Sequence, residues 1–194
     1  MYDIPTSIVM HEQSFPIRCK GDYRMVLDCF VALNDLELTK EERICSALII
    51  FYENMNDLSD LNNFEDVSEA AAQMFQFFNC GNDIDDTGKQ LPRLIDWNSD
   101  SQLICSAINK VSGQEIRAVP YMHWWTFLGY YMAIGESPLS YIVGIRHKIA
   151  NQEKLEKYER KFQAENPQYF KMDYRTEDDK EYDELIKQIW NKED

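Results

Sequence analysis

The stretch at residues 121–148, YMHWWTFLGYYMAIGESPLSYIVGIRHK, decides the fold of this chain. Its first half is apolar or aromatic on nearly every side of a helix, and such a helix has to be enclosed by other elements. Gly135 is expected to end that helix as a left-handed cap, and Ser137 with Pro138 to begin a second one. The stretch therefore predicts a helical hairpin at the centre of a bundle. Its predicted core positions are Trp124, Trp125, Phe127, Leu128, Ile142 and Ile145.

Amphipathic patterns elsewhere predict further helices around this hairpin. Asp22 opens a first helix, and Thr39 with Glu42 forms a capping box for a second. A third and a fourth helix follow, the fourth ending at Gly113. The second arm of the hairpin is expected to run past Ala150 into a solvated helix of alternating charge.

The N-terminus has a different pattern, because residues 4–18 read as two short strands joined by a polar turn at residues 11–14. So small a hairpin has to pack on the helices or pair with another chain, and we favour the helices. The predicted fold class is mainly α: a compact helical domain of about six helices with a small N-terminal β-hairpin and an amphipathic C-terminal helix. Residues 1–165 are expected to form a single domain, and residues 166–194 an acidic C-terminal extension.

The composition and net charge of the chain argue against several classes of function. The chain has 194 residues, 44% of them hydrophobic and 13% aromatic, with a formal net charge of -14. That charge argues against binding nucleic acid or an anionic membrane, since both attract cationic proteins. No apolar run reaches the roughly 20 residues of a bilayer span, and the N-terminus lacks the pattern of a signal peptide, so a cytoplasmic protein is expected.

The sequence contains few candidate catalytic residues. The three histidines lie far apart in the sequence, and His123, beside two tryptophans, is read as a satisfied core histidine rather than a catalyst. Asp83, Asp85 and Asp86 resemble part of a calcium loop, but Leu94 stands where the bidentate glutamate belongs. The five cysteines form no CxxC pair and are interpreted as buried thiols, with a metal or redox role as the alternative. We therefore predict no enzyme, no catalytic residue, no cofactor and no metal.

One segment carries a resemblance to a known family. The run HWWTF at residues 123–127, followed after a turn by Ile145 and Arg146, resembles the signature of the bacteriophage gene-product-fifteen family of Gram-positive tailed phages and integrated elements. Residues 4–17 resemble its opening strands. The helix before the tryptophans matches it at Asp100, Leu103, Ile104, Ala107 and Ile108.

That family is similar to phage tail assembly chaperones, which are encoded near the tape measure protein that sets tail length. The resemblance implies a non-catalytic factor of tail morphogenesis, a chaperone that keeps the tape measure protein soluble in the host cell cytoplasm. Its partner would be that protein or another tail protein, and homo-oligomerisation stays open. The alternatives are a structural virion or scaffold component of the tail and a phage-encoded regulator of host factors.

The C-terminal extension places apolar residues on one helical face, which either folds back on the domain or docks on another molecule. Together with aromatic and basic residues of the hairpin, this face supplies our candidate partner contacts. They are Tyr130, Tyr131, Arg146, Tyr182, Leu185, Ile189 and Trp190.

Overall fold

The computed structural model of the protein describes residues 3–35, 37–55, 64–82 and 94–171, with the backbone alone for residues 64–66. The acidic loop at residues 83–88 and the predicted C-terminal helix lie outside these ranges. The described residues divide into two compact units. Unit 1 holds the described part of residues 3–82 together with Tyr121–Leu128, and unit 2 holds residues 94–120 and 129–171. The predicted boundary at residue 165 stays a prediction.

Unit 1 begins with an antiparallel hairpin of β1 (Ser7–Met10) and β2 (Gln13–Pro16), and continues with α1 (Tyr23–Leu33), α2 (Lys40–Phe51) and α3 (Phe64–Phe78). Unit 2 contains α4 (Ser101–Ser112), α6 (Pro138–Ala150) and α7 (Lys157–Glu165). Helix α5 (Trp124–Met132) begins in unit 1, and from Gly129 its residues belong to unit 2. In the described part of the chain the architecture is mainly α with one small hairpin, which confirms the predicted fold class.

Local signals set several helix ends where the sequence predicts them. The Asp22 carboxylate accepts the Arg24 amide at the start of α1. Thr39 and Glu42 form the reciprocal capping box of α2, and Ser137 caps α6 with Pro138 at its first position. Gly113 ends α4 in the left-handed region. Each of these signals depends only on neighbours within one helical turn, so the sequence alone reveals it.

The tryptophan helix is shorter and more exposed than predicted. It begins at Trp124 because the Met122 backbone instead bonds to the start of α1, where the Tyr23 amide donates to the Met122 carbonyl at 2.9 Å. It ends at Met132, and Gly135 does not adopt the positive φ of a left-handed cap, so that prediction is wrong. Met132 is 77% exposed, so α5 is not enclosed on all sides.

The predicted run of the second arm past Ala150 is also wrong. Helix α6 ends at Ala150, Gln152 takes a φ of 57°, and the Glu153 amide donates to the Lys148 carbonyl at 2.8 Å. Helix α7 then begins at Lys157. This reversal brings the Glu159 carboxylate to 2.6 Å from the Lys148 ammonium, and an uninterrupted helix could not make that contact.

The two units have cores of different chemistry. Unit 1 has an aromatic core in which the Tyr23 and Phe127 rings stack at 4.5 Å and Phe51 meets Phe77 edge-on at 5.2 Å. Phe127 also stacks on Trp124 at 5.5 Å. Unit 2 has an aliphatic core. It contains Ile104, Ile108, Ile116, Leu139, Ile142 and Ile145, all buried.

Candidate functional site

The HWW segment, residues 123–125, makes hydrogen bonds to several separate parts of unit 1. The chain arrives there beside the start of α1, where His123 and Asp22 pair as an antiparallel bridge. The second oxygen of the buried Asp22 carboxylate accepts the Met122 amide at 2.9 Å. Asp22 therefore caps α1 with one oxygen and holds the approach to the tryptophans with the other.

All three aromatic rings of this segment donate to backbone carbonyls. His123 Nε2 lies 3.0 Å from the Pro5 carbonyl oxygen, Trp124 Nε1 donates to Phe78 at 2.9 Å, and Trp125 Nε1 donates to Phe77 at 2.9 Å. The last carbonyls of a helix have no partner inside the helix. The two indoles therefore cap the C-terminal end of α3, while the imidazole fastens the segment that leads into β1.

The bonds of His123 determine its tautomer. The Pro5 oxygen can only accept, so Nε2 carries the proton, and Nδ1 accepts the Trp125 amide at 3.1 Å. Burial lowers the pKa of His123, against the opposing effects of the Pro5 bond and the nearby Asp22 carboxylate. The ring is therefore held neutral as a structural link, with both nitrogens occupied.

Gly21 makes room for this imidazole. Its φ is 76°, and an added Cβ would lie 2.8 Å from Phe77 Cζ and 2.9 Å from His123 Nε2. Both the backbone conformation and the lack of space call for glycine at this position. The local sequence places Gly21 only at the start of α1, and its role against the histidine was not predicted because His123 lies about 100 residues further along the chain.

A second polar site lies inside unit 2, around Arg146. Its guanidinium forms two bonds with the Asp100 carboxylate, at 2.6 and 2.9 Å. Its other bonds go to the Leu94 carbonyl at 2.9 Å and, twice, to the Tyr169 carbonyl at 2.8 and 2.6 Å. These five bonds occupy every donor of the guanidinium. Arg146 thereby ties α6 to the segment before α4 and to the short 3-10 turn Pro167–Tyr169.

The sequence predicts Arg146 as a partner contact, but the structure places its side chain in the interior of unit 2. The side chain is 4% exposed and that of Asp100 is 1% exposed, so in this conformation the guanidinium presents no donor to another molecule. Sequence spacing could not reveal a pair separated by 46 residues. The available signal was the family resemblance, which included both residues.

The remaining candidate contacts divide into two groups. Tyr130 and Tyr131 are half-buried in unit 2, just before the exposed Met132, and the Tyr131 ring lies 5.3 Å from Trp97. Tyr182, Leu185, Ile189 and Trp190 lie outside the described residues. The role of both groups in partner binding stays a prediction.

The predicted core positions are placed as follows. Four are almost fully buried, and two are only partly buried. The first group is Trp124, Phe127, Ile142 and Ile145, and the second is Trp125 and Leu128.

The cysteines differ from the interpretation of all five as buried thiols, since only Cys29 is buried, Cys19 is exposed, and Cys45, Cys80 and Cys105 are partly buried. No group of three or more His, Cys, Asp or Glu side chains in the described ranges has the arrangement of a metal site. Among the cysteines, burial raises the pKa of the Cys29 thiol, which lies near the Ala47 carbonyl and the Met25 sulfur. A protonated, buried thiol is a poor nucleophile. Within the same ranges, no helix is both long and apolar enough to cross a bilayer.

The fold and these sites define a class of protein. It is mainly helical, and the polar groups of its HWW segment and of Arg146 form hydrogen bonds within the protein. The chain belongs to the family described as Bacteriophage Gp15 protein, which it matches over residues 1–183. Membership indicates a phage protein of structural or morphogenetic type. No curated protein and no solved structure matches the chain.

Proposed function

We propose that this protein is a tail assembly chaperone that binds the tape measure protein in the host cytoplasm and keeps it soluble until the tail assembles. Family membership supports a role in building the phage particle. The occupied polar groups of the HWW segment and of Arg146 favour binding over catalysis, since a catalytic group needs access to a substrate.

The observation that carries the proposal is the exposed end of α5. Met132 is 77% exposed there, next to the half-exposed Tyr130 and Tyr131. Trp97 extends this surface through its ring contact with Tyr131 at 5.3 Å. Methionine side chains are flexible and polarizable, and they recur on surfaces that accept varied apolar partners. This surface therefore suits an apolar helix stripe.

Net charge explains how such binding would maintain solubility. A long amphipathic helix without its assembly partners aggregates through its apolar stripe, and covering that stripe removes the cause. The chain carries 34 Asp and Glu against 20 Lys and Arg, so complexes with it repel one another. The predicted contacts Tyr182, Leu185, Ile189 and Trp190 would add a second apolar face.

Co-expression tests the proposal. We expect a tape measure protein from the same phage to be more soluble with this protein than without it, and to co-purify with it. Met132→Asp should return the client to the insoluble fraction, because it places a charge on the binding surface. Val31→Asp is the matched control, since Val31 is 59% exposed on α1 of unit 1. Unchanged client solubility together with no co-purification would contradict the chaperone function.

A structural tail component is the second candidate, because membership of the family supports it equally. Mass spectrometry of purified particles separates the two candidates. An assembly chaperone is absent from finished particles, whereas a structural component is present in many copies.

A further inference from the structure

Unit 2 has a second aromatic surface, which is formed by residues outside α5. We define the tyrosine strip as Tyr141 of α6, Tyr158 and Phe162 of α7, and Phe170. The Phe162 ring meets Tyr141 edge-on at 5.1 Å and Phe170 at 6.2 Å. Tyr158 lies one helical turn before Phe162 and is 62% exposed, while Tyr141 is 37% exposed. Partial burial, followed by the nearby Tyr158 and Glu159, raises the pKa of Tyr141.

Partly buried hydrogen bonds within unit 2 hold the elements of the strip together. Lys148 donates to the Glu159 carboxylate at 2.6 Å, which holds α7 against α6. Arg146 fixes the Tyr169 carbonyl with two bonds, which places the neighbouring Phe170. Tyrosine itself loses little conformational entropy on binding, and it is enriched at protein interfaces. A partner would therefore meet a surface that is already arranged.

The charges around the strip differ from those of the whole chain. Lys154, Lys157, Arg160 and Lys161 are exposed within eight residues that include Tyr158, although the chain as a whole carries a net charge of -14. Two acidic residues lie inside that run: Glu156 is exposed, and Glu159 is buried against Lys148, which lowers the pKa of Glu159 and keeps it ionised in the pair. Four exposed cations against the one exposed carboxylate of Glu156 leave this run with a local excess of positive charge.

From this combination we propose that the tyrosine strip docks an amphipathic helix of the client whose apolar stripe is flanked by acidic residues. The aromatic rings take the stripe, and the excess of cations in this run attracts the flanking carboxylates, although Lys161 also pairs with Glu165 at 3.7 Å. The rest of the acidic surface repels such a helix, so the charges direct it to this strip. A single-stranded nucleic acid also pairs aromatic rings with cations, but the net charge of the chain opposes it. The inference rests on the proposed function only for the identity of the client.

Two synthetic amphipathic helices test the strip on the full-length protein. They share a leucine stripe and differ in having glutamate or lysine flanks, and binding is followed by fluorescence anisotropy. We expect the glutamate-flanked helix to bind more tightly, and Tyr158→Ser to weaken that binding about tenfold, as loss of a central interface residue does. Lys157→Glu with Lys161→Glu should reverse the preference. Val31→Ser is the matched control, because Val31 is 59% exposed in unit 1.

The outcomes separate this inference from the chaperone function. Preference for the lysine-flanked helix, preference for a single-stranded oligonucleotide, or equal loss of affinity in Tyr158→Ser and Val31→Ser would overturn the strip. If the tape measure protein co-purifies equally with the wild type and with Tyr158→Ser, the function stands and the strip is again overturned. If that protein never co-purifies, the chaperone function fails, and the two synthetic helices still decide the chemistry of the strip.

Discussion

At the scale of single residues, three hydrogen bonds explain the HWW signature. Each joins a ring nitrogen of the signature to a backbone carbonyl. The carbonyls belong to Pro5, Phe77 and Phe78, which lie far from the signature in sequence. A carbonyl buried without a donor is costly, so aromatic residues that carry an N–H are needed at these positions. Phenylalanine would fill similar space without making the bonds.

The two tryptophans should differ in their contribution to stability. Trp124→Phe leaves the Phe78 carbonyl without its indole donor, which should lower the free energy of unfolding by about 1–3 kcal/mol. Trp125→Phe should cost less, because the Phe77 carbonyl also accepts the Cys80 amide at 3.1 Å and Trp125 is partly exposed. Denaturant unfolding of both variants checks this order, and an equal or larger loss in Trp125→Phe would contradict the capping role.

His123 should make stability depend on pH. Burial lowers its pKa below the unfolded value of about 6.5, so at mildly acidic pH the unfolded chain binds more protons than the folded chain. The hydrogen bonds of the folded state require the neutral imidazole. The free energy of unfolding should therefore fall as the pH decreases from about 7 to about 5. Urea unfolding across this range measures the slope. His123→Gln should flatten it, whereas His147→Gln, at an exposed position of α6, should retain it.

At the scale of elements, contacts far apart in sequence decide how α6 and its neighbours are joined. A local signal, the Ser137 cap, sets the start of α6. After the end of α6 the chain reverses into α7, and this reversal brings Glu159 into contact with Lys148. Arg146 then holds three separate segments at one buried point. These ties involve charged residues, which a sequence pattern by itself assigns to the surface.

Removing one partner of the buried pair should be severe. Arg146→Met leaves the Asp100 carboxylate buried without its counter-ion and should lower the free energy of unfolding by about 3–5 kcal/mol. The double variant Arg146→Met/Asp100→Asn removes the stranded charge and should be more stable than Arg146→Met alone. Thermal or chemical unfolding of the two variants measures the difference. A loss below about 1 kcal/mol in the single variant would show that the pair contributes little.

At the scale of the whole molecule, acidity and exposed apolar side chains occur together. Net charge limits self-association, and the surfaces around Met132 and Tyr158 give a client something to bind. The co-expression experiment belongs to this scale, because client solubility is a property of the complex. The two synthetic helices then resolve which surface of unit 2 recognises which flanking charge.

Several features were predictable from the sequence because their causes are local. Apolar periodicity and the caps at Asp22, Thr39, Ser137 and Gly113 gave the helices, and alternation at the N-terminus gave the hairpin. The HWWTF run, with Ile145 and Arg146 after it, suggested the family, which the match over residues 1–183 then established.

The tertiary structure determined which partners these residues contact. Only folding brings the indoles to the end of α3, the imidazole to Pro5 and Gly21, and Arg146 to Asp100. It also shortened α5, because hydrogen bonds with the start of α1 engage the Met122 backbone just before the helix. Local sequence reports the preferences of a residue within one helical turn. Burial and pairing depend on segments separated by tens of residues, so they become visible only once the chain has folded.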